Sequence, residues 1–159
     1  MTATTTTPAT ATQVRTTSGN EHWWESVCGE VGRRARRRVR DLGTEYVYLP
    51  GAEIVSEGSR AERFSLIIEG EVEVVVNGEV VNILTAGEFF GEVALLYTRP
   101  GGPGNAPVAL PRTATVRTTG VTRVRELDRA ELMTLMDVAP VAASRISRRA
   151  IGRLAVMRG

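Results

Sequence analysis

The stretch from Gly87 to Val116, GEFFGEVALLYTRPGGPGNAPVALPRTATV, decides how the rest of this chain is interpreted. It contains a Phe-Gly-Glu turn, a short apolar segment and, further on, a Pro-Arg pair that enters an alternating strand pattern. Gly91 permits a tight turn in which the backbone approaches a ligand closely. Residues 92–96 can form one helical turn whose free N–H groups face an anion. Because Arg112 adds a planar guanidinium that suits phosphate oxygens, this stretch predicts an anion site.

Glu92 would be out of place in a site for an anion alone, because a carboxylate repels phosphate. Its presence is explained if it accepts a hydrogen bond from a neutral donor, such as a sugar hydroxyl. A phosphate next to a ribose hydroxyl indicates a nucleotide. The competing interpretations are a carboxylate at a helix start, which the helix dipole favours, and an ordinary solvated arginine at position 112.

Two motifs of the chain resemble a known family. FGEVALL followed by PRTATV is similar to the phosphate-binding cassette of cyclic nucleotide-binding domains. The upstream segments LPGAEIVSEG and FSLIIEGEVEVVVNG resemble the first strands of the same domain, so the likeness covers roughly residues 43–157. It implies a mainly β fold, an eight-stranded jelly roll with a short cassette helix and two C-terminal helices. It also implies cAMP or cGMP as the ligand, with no further cofactor.

The resemblance assigns a role to each cassette residue. Arg112 would pair with the cyclic phosphate, and Glu92 would accept a hydrogen bond from the ribose 2′-hydroxyl. Backbone N–H groups and close ligand contacts would come from the turn and the helix that follows it, at Gly91, Val93, Ala94 and Leu95. Simple turn formation and core packing are the alternative for these positions.

Thr113 bears on the choice of nucleotide. In the family, a hydroxyl at this position can bond the guanine amino group and favour cGMP, whereas many cAMP binders have a small residue there. Threonine is also a residue that β-strands prefer. Thr113 is therefore weak evidence for cGMP, and we keep cAMP slightly ahead as the commoner bacterial-type ligand of the family.

The spacing of the cassette departs from the family pattern. Glu92 and Arg112 lie 20 positions apart, whereas the family places them about half as far apart. The excess is the segment 99–110, a flexible, turn-rich insertion. An outward bulge would leave the site intact, because lengthening a loop costs little entropy. A lid and a loss of nucleotide affinity are the alternatives, and we expect the bulge because both ends of the cassette are present.

Composition and periodicity divide the chain into three segments. Residues 1–20 are rich in Thr and Ala, lack periodicity and are expected to be disordered. Residues 21–42 carry apolar residues at gaps of three and four among arginines, which predicts one Arg-rich amphipathic helix. Residues 43–159 form the binding domain, whose last two helices begin at the capping-box residue Asp128 and at Pro140.

The strands of the third segment are indicated by a period of two. Short alternating or apolar runs separated by glycine turns predict a β-sandwich or jelly roll. Asn77-Gly78 is a strong hairpin signal, because both residues tolerate positive φ.

Charge is distributed unevenly, although the formal net charge is only +2. All 20 basic residues are arginines, and 11 of them cluster at 33–40 and 145–158 around an acidic centre. The first cluster could bind nucleic acid or anionic lipid, but a solvated helix face is the simpler expectation. With no helix-turn-helix after Gly159, a DNA-associated regulator is a weaker alternative, as is a fold with an empty pocket that serves protein interaction.

Catalysis and metal binding are not expected. His22 and Cys28 are the only residues of their kinds, too few for a zinc site or a Cys/His nucleophile. A single cysteine, the lack of a secretory signal and the lack of a long apolar run favour the cytoplasm, without a membrane span. The apolar stripe of the last helix fits either a homodimer seam or packing on its own barrel. The sequence does not indicate a protein partner.

Overall fold

The computed structural model describes residues 13–15, 23–29, 31–59, 63–92, 96, 98–109 and 111–158. The strands are β1 (Gln13–Arg15), β2 (Thr44–Tyr48), β3 (Glu53–Val55), β4 (Arg63–Glu69), β5 (Glu71–Val76), β6 (Glu79–Thr85), β7 (Phe89–Phe90), β8 (Thr98–Pro100), β9 (Pro107–Ala109), β10 (Thr115–Thr118) and β11 (Thr122–Asp128). The helices are α1 (Glu25–Cys28), α2 (Arg33–Arg40), α3 (Arg129–Val138) and α4 (Pro140–Arg158).

Two antiparallel sheets form the body of the domain. One has five strands in the order β1-β2-β11-β4-β7, and the other has four in the order β3-β10-β5-β6. Most connections pass from one sheet to the other, as between β2 and β3, β3 and β4, β4 and β5, and β10 and β11. This arrangement is that of a jelly roll, which confirms the predicted fold class. The Asn77-Gly78 turn between β5 and β6 has positive φ at both residues, 52° and 83°, as the hairpin signal predicted.

Two apolar cores hold the layers together. The core between the sheets consists of Tyr48, Ala52, Ile67, Val72, Leu84, Phe90, Val116 and Val124. The second core lies between the five-stranded sheet and the helices and includes Trp23, Trp24, Phe64, Leu66, Leu132 and Ile146. Strand β4 contributes to both cores, which explains why its sequence is apolar on both faces rather than strictly alternating.

The two C-terminal helices begin where the sequence predicted. Asp128 accepts a hydrogen bond from the Glu131 backbone N–H at 2.8 Å, and Glu131 accepts one from the Asp128 N–H at 3.1 Å, which closes the capping box. Along α4, Ala142, Ile146 and Ala150 are fully buried. This half of the stripe therefore packs on its own chain. In the part of the chain that the structure describes, no helix is long and apolar enough to cross a membrane.

The structure replaces the single helix predicted over residues 21–42 with two short ones. Gly29, with φ 64° and ψ −144°, ends α1, and Gly32 is the N-cap of α2. The periodic pattern runs through both helices, but Gly29 has a positive φ, which glycine adopts without strain, so the chain can turn there. As a result, Trp23 and Trp24 are buried in the helix-side core while the α2 arginines are exposed.

The predicted disorder of residues 1–20 is wrong for three of them. Gln13–Arg15 forms β1 and pairs antiparallel with Tyr46–Tyr48 of β2. The unpaired backbone groups at a sheet edge offer hydrogen bonds to any extended segment, whatever its side-chain periodicity. The other residues of this tail lie outside the described part of the chain.

The insertion at 99–110 contains a hairpin rather than an irregular loop. Strands β8 and β9 pair with Thr98 opposite Ala109 and Pro100 opposite Pro107. A 3₁₀ turn at Pro103–Asn105 closes the hairpin, and residues 103–106 at the tip are exposed.

Candidate functional site

A cavity of about 1010 Å³ opens between the four-stranded sheet, the turn after β7 and helix α4. Its apolar wall comes mainly from the sheets, at Val55, Val74, Val76, Val81, Leu84, Phe89, Phe90 and Val116. Four of the predicted site residues line it together, at Gly91, Glu92, Arg112 and Thr113. The other three, Val93, Ala94 and Leu95, lie outside the described residues. The roles assigned to all seven remain predictions.

Main-chain hydrogen bonds bring Arg112 to this cavity in spite of the insertion. Its N–H donates to the Ser59 carbonyl at 2.9 Å, and its carbonyl accepts from the Gly58 N–H at 2.8 Å. The position of Arg112 is therefore set by the turn after β3, not by the length of chain that separates it from Glu92. None of the described residues 101–106 of the insertion lines the cavity.

The guanidinium of Arg112 is buried and oriented by backbone carbonyls. The residue is 8% exposed. Its Nη1 donates to the Gly91 carbonyl at 3.2 Å and its Nη2 to the Arg63 carbonyl at 2.6 Å. Because arginine stays protonated in proteins, this arrangement holds a permanent positive charge at the base of the cavity.

Gly91 is required by both conformation and space. Its φ is 91°, in the region that favours glycine. A Cβ atom there would lie 2.7 Å from Arg112 Nη1 and 2.8 Å from the Arg63 carbonyl oxygen. The glycine therefore makes the close approach between the turn and the arginine possible.

Glu92 is fully buried, and its two carboxylate oxygens differ. Oε1 accepts a hydrogen bond from Arg153 of α4. Oε2 has no hydrogen-bond partner among the described residues. Burial raises the pKa of Glu92 above its ordinary value, while the positive charges of Arg153 and Arg149 act in the opposite direction. A buried acceptor without a partner is costly, so a donor supplied by a ligand would be stabilised here.

Arg153 lines the cavity and contacts Glu92, but the sequence did not predict it as a site residue. Besides Glu92, it donates to the Phe89 carbonyl at 3.0 Å and lies 5.8 Å from the centre of the Phe89 ring. One turn earlier, Arg149 pairs with Glu88 at 3.2 Å. The basic cluster of the last helix was visible as charge, but its acidic partners are about 60 positions earlier in the chain and no local pattern connects them.

Two further residues singled out in the sequence are Thr113 and Cys28. Thr113 is exposed and lines the cavity next to Arg112. Within the described ranges, no group of three or more His, Cys, Asp or Glu residues is placed to hold a metal ion. Cys28 is buried, and burial raises the pKa of its thiol to about 12, so the thiol is protonated at neutral pH.

The family model of the cyclic nucleotide-binding domain matches residues 45–138, more than half of the chain. The chain therefore belongs to the cyclic nucleotide-binding domain family.

Curated relatives include protein kinase regulatory subunits. The cAMP-dependent protein kinase regulatory subunit of Yarrowia lipolytica is 38% identical over 76 residues, which is 46% of this chain and 20% of the relative. The Eremothecium gossypii regulatory subunit is 40% identical over 103 residues, 64% of this chain and 20% of the relative. A cGMP-dependent protein kinase of Toxoplasma gondii is 42% identical over 53 residues, 33% and 5% of the two chains. The chain thus spans about a fifth of the length of the regulatory subunits.

Solved structures share the fold. A cyclic nucleotide-binding domain from Methylobacillus flagellatus superposes with a TM-score of 0.67 at 18% identity, covering 95% of this chain and 85% of the other. The cAMP-bound PfPKA-R fragment gives a TM-score of 0.62 at 24% identity, covering 85% of this chain and 46% of the other. At these identities the likeness shows a common fold.

Proposed function

We propose that this chain is a regulatory module that binds a cyclic nucleotide, cAMP or cGMP, and signals its occupancy through the C-terminal helices. One observation carries the proposal. The same cavity contains the buried Arg112 guanidinium and the buried carboxylate of Glu92, whose Oε2 has no partner among the described residues. Membership of the family and the kinase regulatory subunits among the relatives support the same function.

The cyclic phosphate would bind at Arg112. The guanidinium is already oriented by the Gly91 and Arg63 carbonyls, so little entropy is lost when it meets an anion. The close turn at Gly91 would let backbone N–H groups of the following helical turn approach the same oxygens. The contribution of Val93, Ala94 and Leu95 to these contacts is part of the proposal.

The ribose would bind at Glu92. A 2′-hydroxyl is a neutral donor, and Oε2 is an acceptor without a partner among the described residues. Satisfying a buried acceptor recovers a desolvation cost of roughly 1–3 kcal/mol, which is available only to a ligand with a hydroxyl in this place. The carboxylate would therefore select ribose over 2′-deoxyribose.

The signal would pass through Arg153. This residue joins α4 to Glu92 and to the Phe89 carbonyl, so the helix contacts the carboxylate that the ribose would use. A ligand that competes for Glu92, or strengthens its contact with Arg153, changes the relative stability of two helix positions. Such differential binding is the condition for a ligand to shift a conformational equilibrium.

We also propose that the module has no catalytic activity and acts in the cytoplasm. The regulatory subunits among its relatives support this part of the proposal. A homodimer through α4 would have to use the face with the exposed residues Val141 and Ile151, since the stripe through Ile146 is buried in its own chain. Thr113 would favour cGMP if its hydroxyl contacts the base.

The test is calorimetric titration of the purified chain with cAMP and then with cGMP, for the wild type and for Arg112→Ala. We expect micromolar or tighter binding by the wild type. The variant should lose about 30-fold or more in affinity, because removing one partner of a buried charged contact costs roughly 2–5 kcal/mol.

Arg117→Ala is the matched control. Arg117 lies on β10, five positions after Arg112, and forms an exposed ion pair with Glu73 at 2.9 Å. It should bind nucleotide as the wild type does. If neither nucleotide binds the wild type, or if Arg112→Ala binds as tightly as Arg117→Ala while both variants remain folded by circular dichroism, the proposed function is wrong.

A further inference from the structure

Helix α2 carries a concentration of positive charge at the surface. Six of its eight residues are exposed arginines, at Arg33, Arg34, Arg36, Arg37, Arg38 and Arg40. Only Arg40 has a carboxylate partner among the described residues, the adjacent Asp41 at 3.6 Å. An exposed arginine of the sheets is treated differently, since Arg117 pairs with Glu73 at 2.9 Å. Within the described ranges, most of the charge of α2 is therefore not neutralised by the protein itself.

This charge lowers the local stability of the helix. Like charges three and four positions apart repel one another, as Arg33 does Arg36 and Arg37. Positive charge near the helix start also opposes the helix dipole, and α2 has no acidic residue in its first turn and no side-chain cap at Gly32. A helix face that is merely solvated usually mixes charges of both signs. A face of one sign that weakens its own helix indicates that the charge serves binding.

The opposite side of α2 fixes the helix on the domain. Val39 is fully buried, and Ala35 packs against the helix-side core. The Arg40 carbonyl accepts hydrogen bonds from Trp23 Nε1 and from Arg125 Nη2, each at 3.2 Å. The helix therefore presents its arginines from a fixed position, and its attachment to the domain does not depend on their charges.

The distribution of the arginines around the helix axis bears on the kind of partner. At 3.6 residues per turn they cover roughly 200° of the circumference, from Arg36 on one flank through Arg37 to Arg38 on the other. A flat membrane would contact only part of this arc. Helices that bind membrane surfaces also insert an apolar face, whereas the apolar residues of α2, Ala35 and Val39, are directed to the core. A groove with phosphates on both walls would contact both flanks.

The major groove of B-form DNA has this shape. It is roughly 12 Å wide, admits an α-helix and has the phosphates of the two strands along its edges. At 1.5 Å per residue, α2 is roughly 12 Å long. The guanidinium fork matches phosphate oxygens and can also donate two hydrogen bonds to the edge of a guanine. An RNA duplex is a poorer fit, because its major groove is deep and narrow.

From these observations we infer that α2 is a surface for double-stranded DNA, with the arginines of its two flanks on the phosphates of the two strands. The inference does not depend on the proposed function, because no residue of α2 lines the cavity. It assigns a partner to the arginine cluster at 33–40, for which the sequence alone favoured a solvated face.

The experiment is a fluorescence anisotropy titration of the full chain, without cyclic nucleotide, against a labelled DNA duplex of about 20 base pairs, roughly two helical turns. Two variants each remove one flank, Arg36→Gln/Arg40→Gln and Arg34→Gln/Arg38→Gln. We expect the wild type to bind with a Kd of about 10 μM or tighter near 0.1 M salt, and the logarithm of its affinity to fall with that of the salt concentration at a slope of about −4.

Both flank variants should lose affinity on the order of tenfold or more, and their salt slopes should be shallower by about two. They should melt at or above the wild-type temperature, because the substitutions remove repulsion within the helix. Lower melting temperatures in both variants would mean that the arginines stabilise the fold, and would overturn the inference. A loss confined to one flank would overturn the groove geometry and with it the inference.

Arg117→Gln/Arg148→Gln is the matched control, since it removes two arginine charges from exposed positions on β10 and α4. Its affinity for the duplex should stay within about twofold of the wild type, because salt screens distant charges. Equal losses in the control and the flank variants would show a response to net charge alone and overturn the inference. So would the absence of duplex binding at about 50 mM salt, where phosphate contacts are strongest.

The other classes of anionic partner are titrated in parallel, as phosphatidylglycerol vesicles and as an RNA duplex. Binding to either that is as tight as binding to DNA would overturn the assignment to DNA. Because the assay contains no cyclic nucleotide and the flank variants leave the cavity residues unchanged, a failure here would leave the proposed function standing. A failure of cyclic nucleotide binding would likewise leave this inference standing.

Discussion

Glu45 and Glu92 are both fully buried glutamates, but their surroundings differ. On the five-stranded sheet, Glu45 Oε1 lies 3.3 Å from Arg123 Nη1 and its Oε2 lies 3.5 Å from Arg125 Nη1. In the cavity, Glu92 has a partner for Oε1, whereas Oε2 has none among the described residues. A carboxylate that is satisfied on both oxygens contributes to the structure, while one that is half satisfied is available to a ligand.

A neighbouring carboxylate on the sheet follows the first pattern. Glu126 accepts hydrogen bonds from the Tyr48 hydroxyl and, at 3.2 Å, from Arg63 Nη1. Burial and the charge of Glu126 raise the pKa of Tyr48, so the phenol remains a donor across the physiological range. On the sheet, both oxygens of Glu45 and of Glu126 therefore have a partner. In the cavity, Glu92 has a partner for only one oxygen among the described residues.

The largest expected effect compares Glu45→Gln with Glu92→Gln. Glu45→Gln should lower the free energy of unfolding by about 3 kcal/mol, because Arg125, whose side chain is 11% exposed, loses the charge of its ion-pair partner. Glu92→Gln should lower it much less and instead reduce cyclic nucleotide affinity on the order of tenfold or more. Urea unfolding and calorimetric titration of both variants measure the two effects. Equal losses of stability would show that the two carboxylates serve the same structural purpose.

Gly91→Ala should have the next largest effect. The positive φ alone costs roughly 1–3 kcal/mol for a non-glycine residue, and the added methyl group would also displace Arg112. Gly51→Ala is the control, since Gly51 has a φ of 79° and nothing within 4 Å of an added Cβ. Both variants should melt at lower temperature, but only Gly91→Ala should lose nucleotide affinity. Normal binding by Gly91→Ala would mean that the position of Arg112 is not critical.

A smaller effect depends on pH. Burial raises the folded-state pKa of Glu92 above its unfolded value, so ionisation opposes folding as the pH rises from the unfolded towards the folded pKa. In the ligand-free protein, the difference in melting temperature between Glu92→Gln and the wild type should therefore shift in favour of the variant as the pH is raised from 4 to neutrality. Thermal melts in buffers of matched ionic strength measure it. A difference that moves in the opposite direction would mean that Arg153 outweighs the burial of Glu92.

The smallest effect is expected at the hairpin of the insertion. Replacing residues 101–106 with Asn-Gly shortens the tip but keeps β8 and β9. Because the main chain of Arg112 is held by Ser59 and Gly58, nucleotide affinity should stay within about twofold, and the shorter loop should change stability by less than about 1 kcal/mol. Titration with cAMP tests this. A large change in affinity in either direction would support a lid instead of an outward hairpin.

Sequence reasoning reached the features that depend on neighbouring residues. The strands of a β-sandwich or jelly roll, the Asn77-Gly78 turn and the Asp128 capping box were predicted from the residues and are confirmed. The jelly-roll topology was implied by the family resemblance and is confirmed as well. The cavity contains the predicted Gly91 and Arg112, although what each of them binds is still a prediction. These features could be predicted because the conformational preference of a turn, a cap or a strand is expressed within a few residues.

The features that were missed depend on contacts between distant segments. The strand at Gln13–Arg15 exists because the edge of β2 offers hydrogen bonds, and no pattern in the tail specifies that edge. The break between α1 and α2 follows from the positive φ of Gly29, in a segment whose apolar period is continuous. Periodicity describes which face is buried, but it does not state where the chain turns.

By itself, the sequence determined the class of fold and the residue types of the cassette, since a glycine turn, a carboxylate and an arginine are properties of residue type and local spacing. Only the tertiary structure decided that Arg112 reaches Gly91 across a 20-position separation and that Arg153 pairs with Glu92. It also decided that four arginines of α4 line the same cavity. The physical reason is that ion pairs and buried hydrogen bonds form between side chains that folding brings together, and their strength depends on distance and burial rather than on position in the chain.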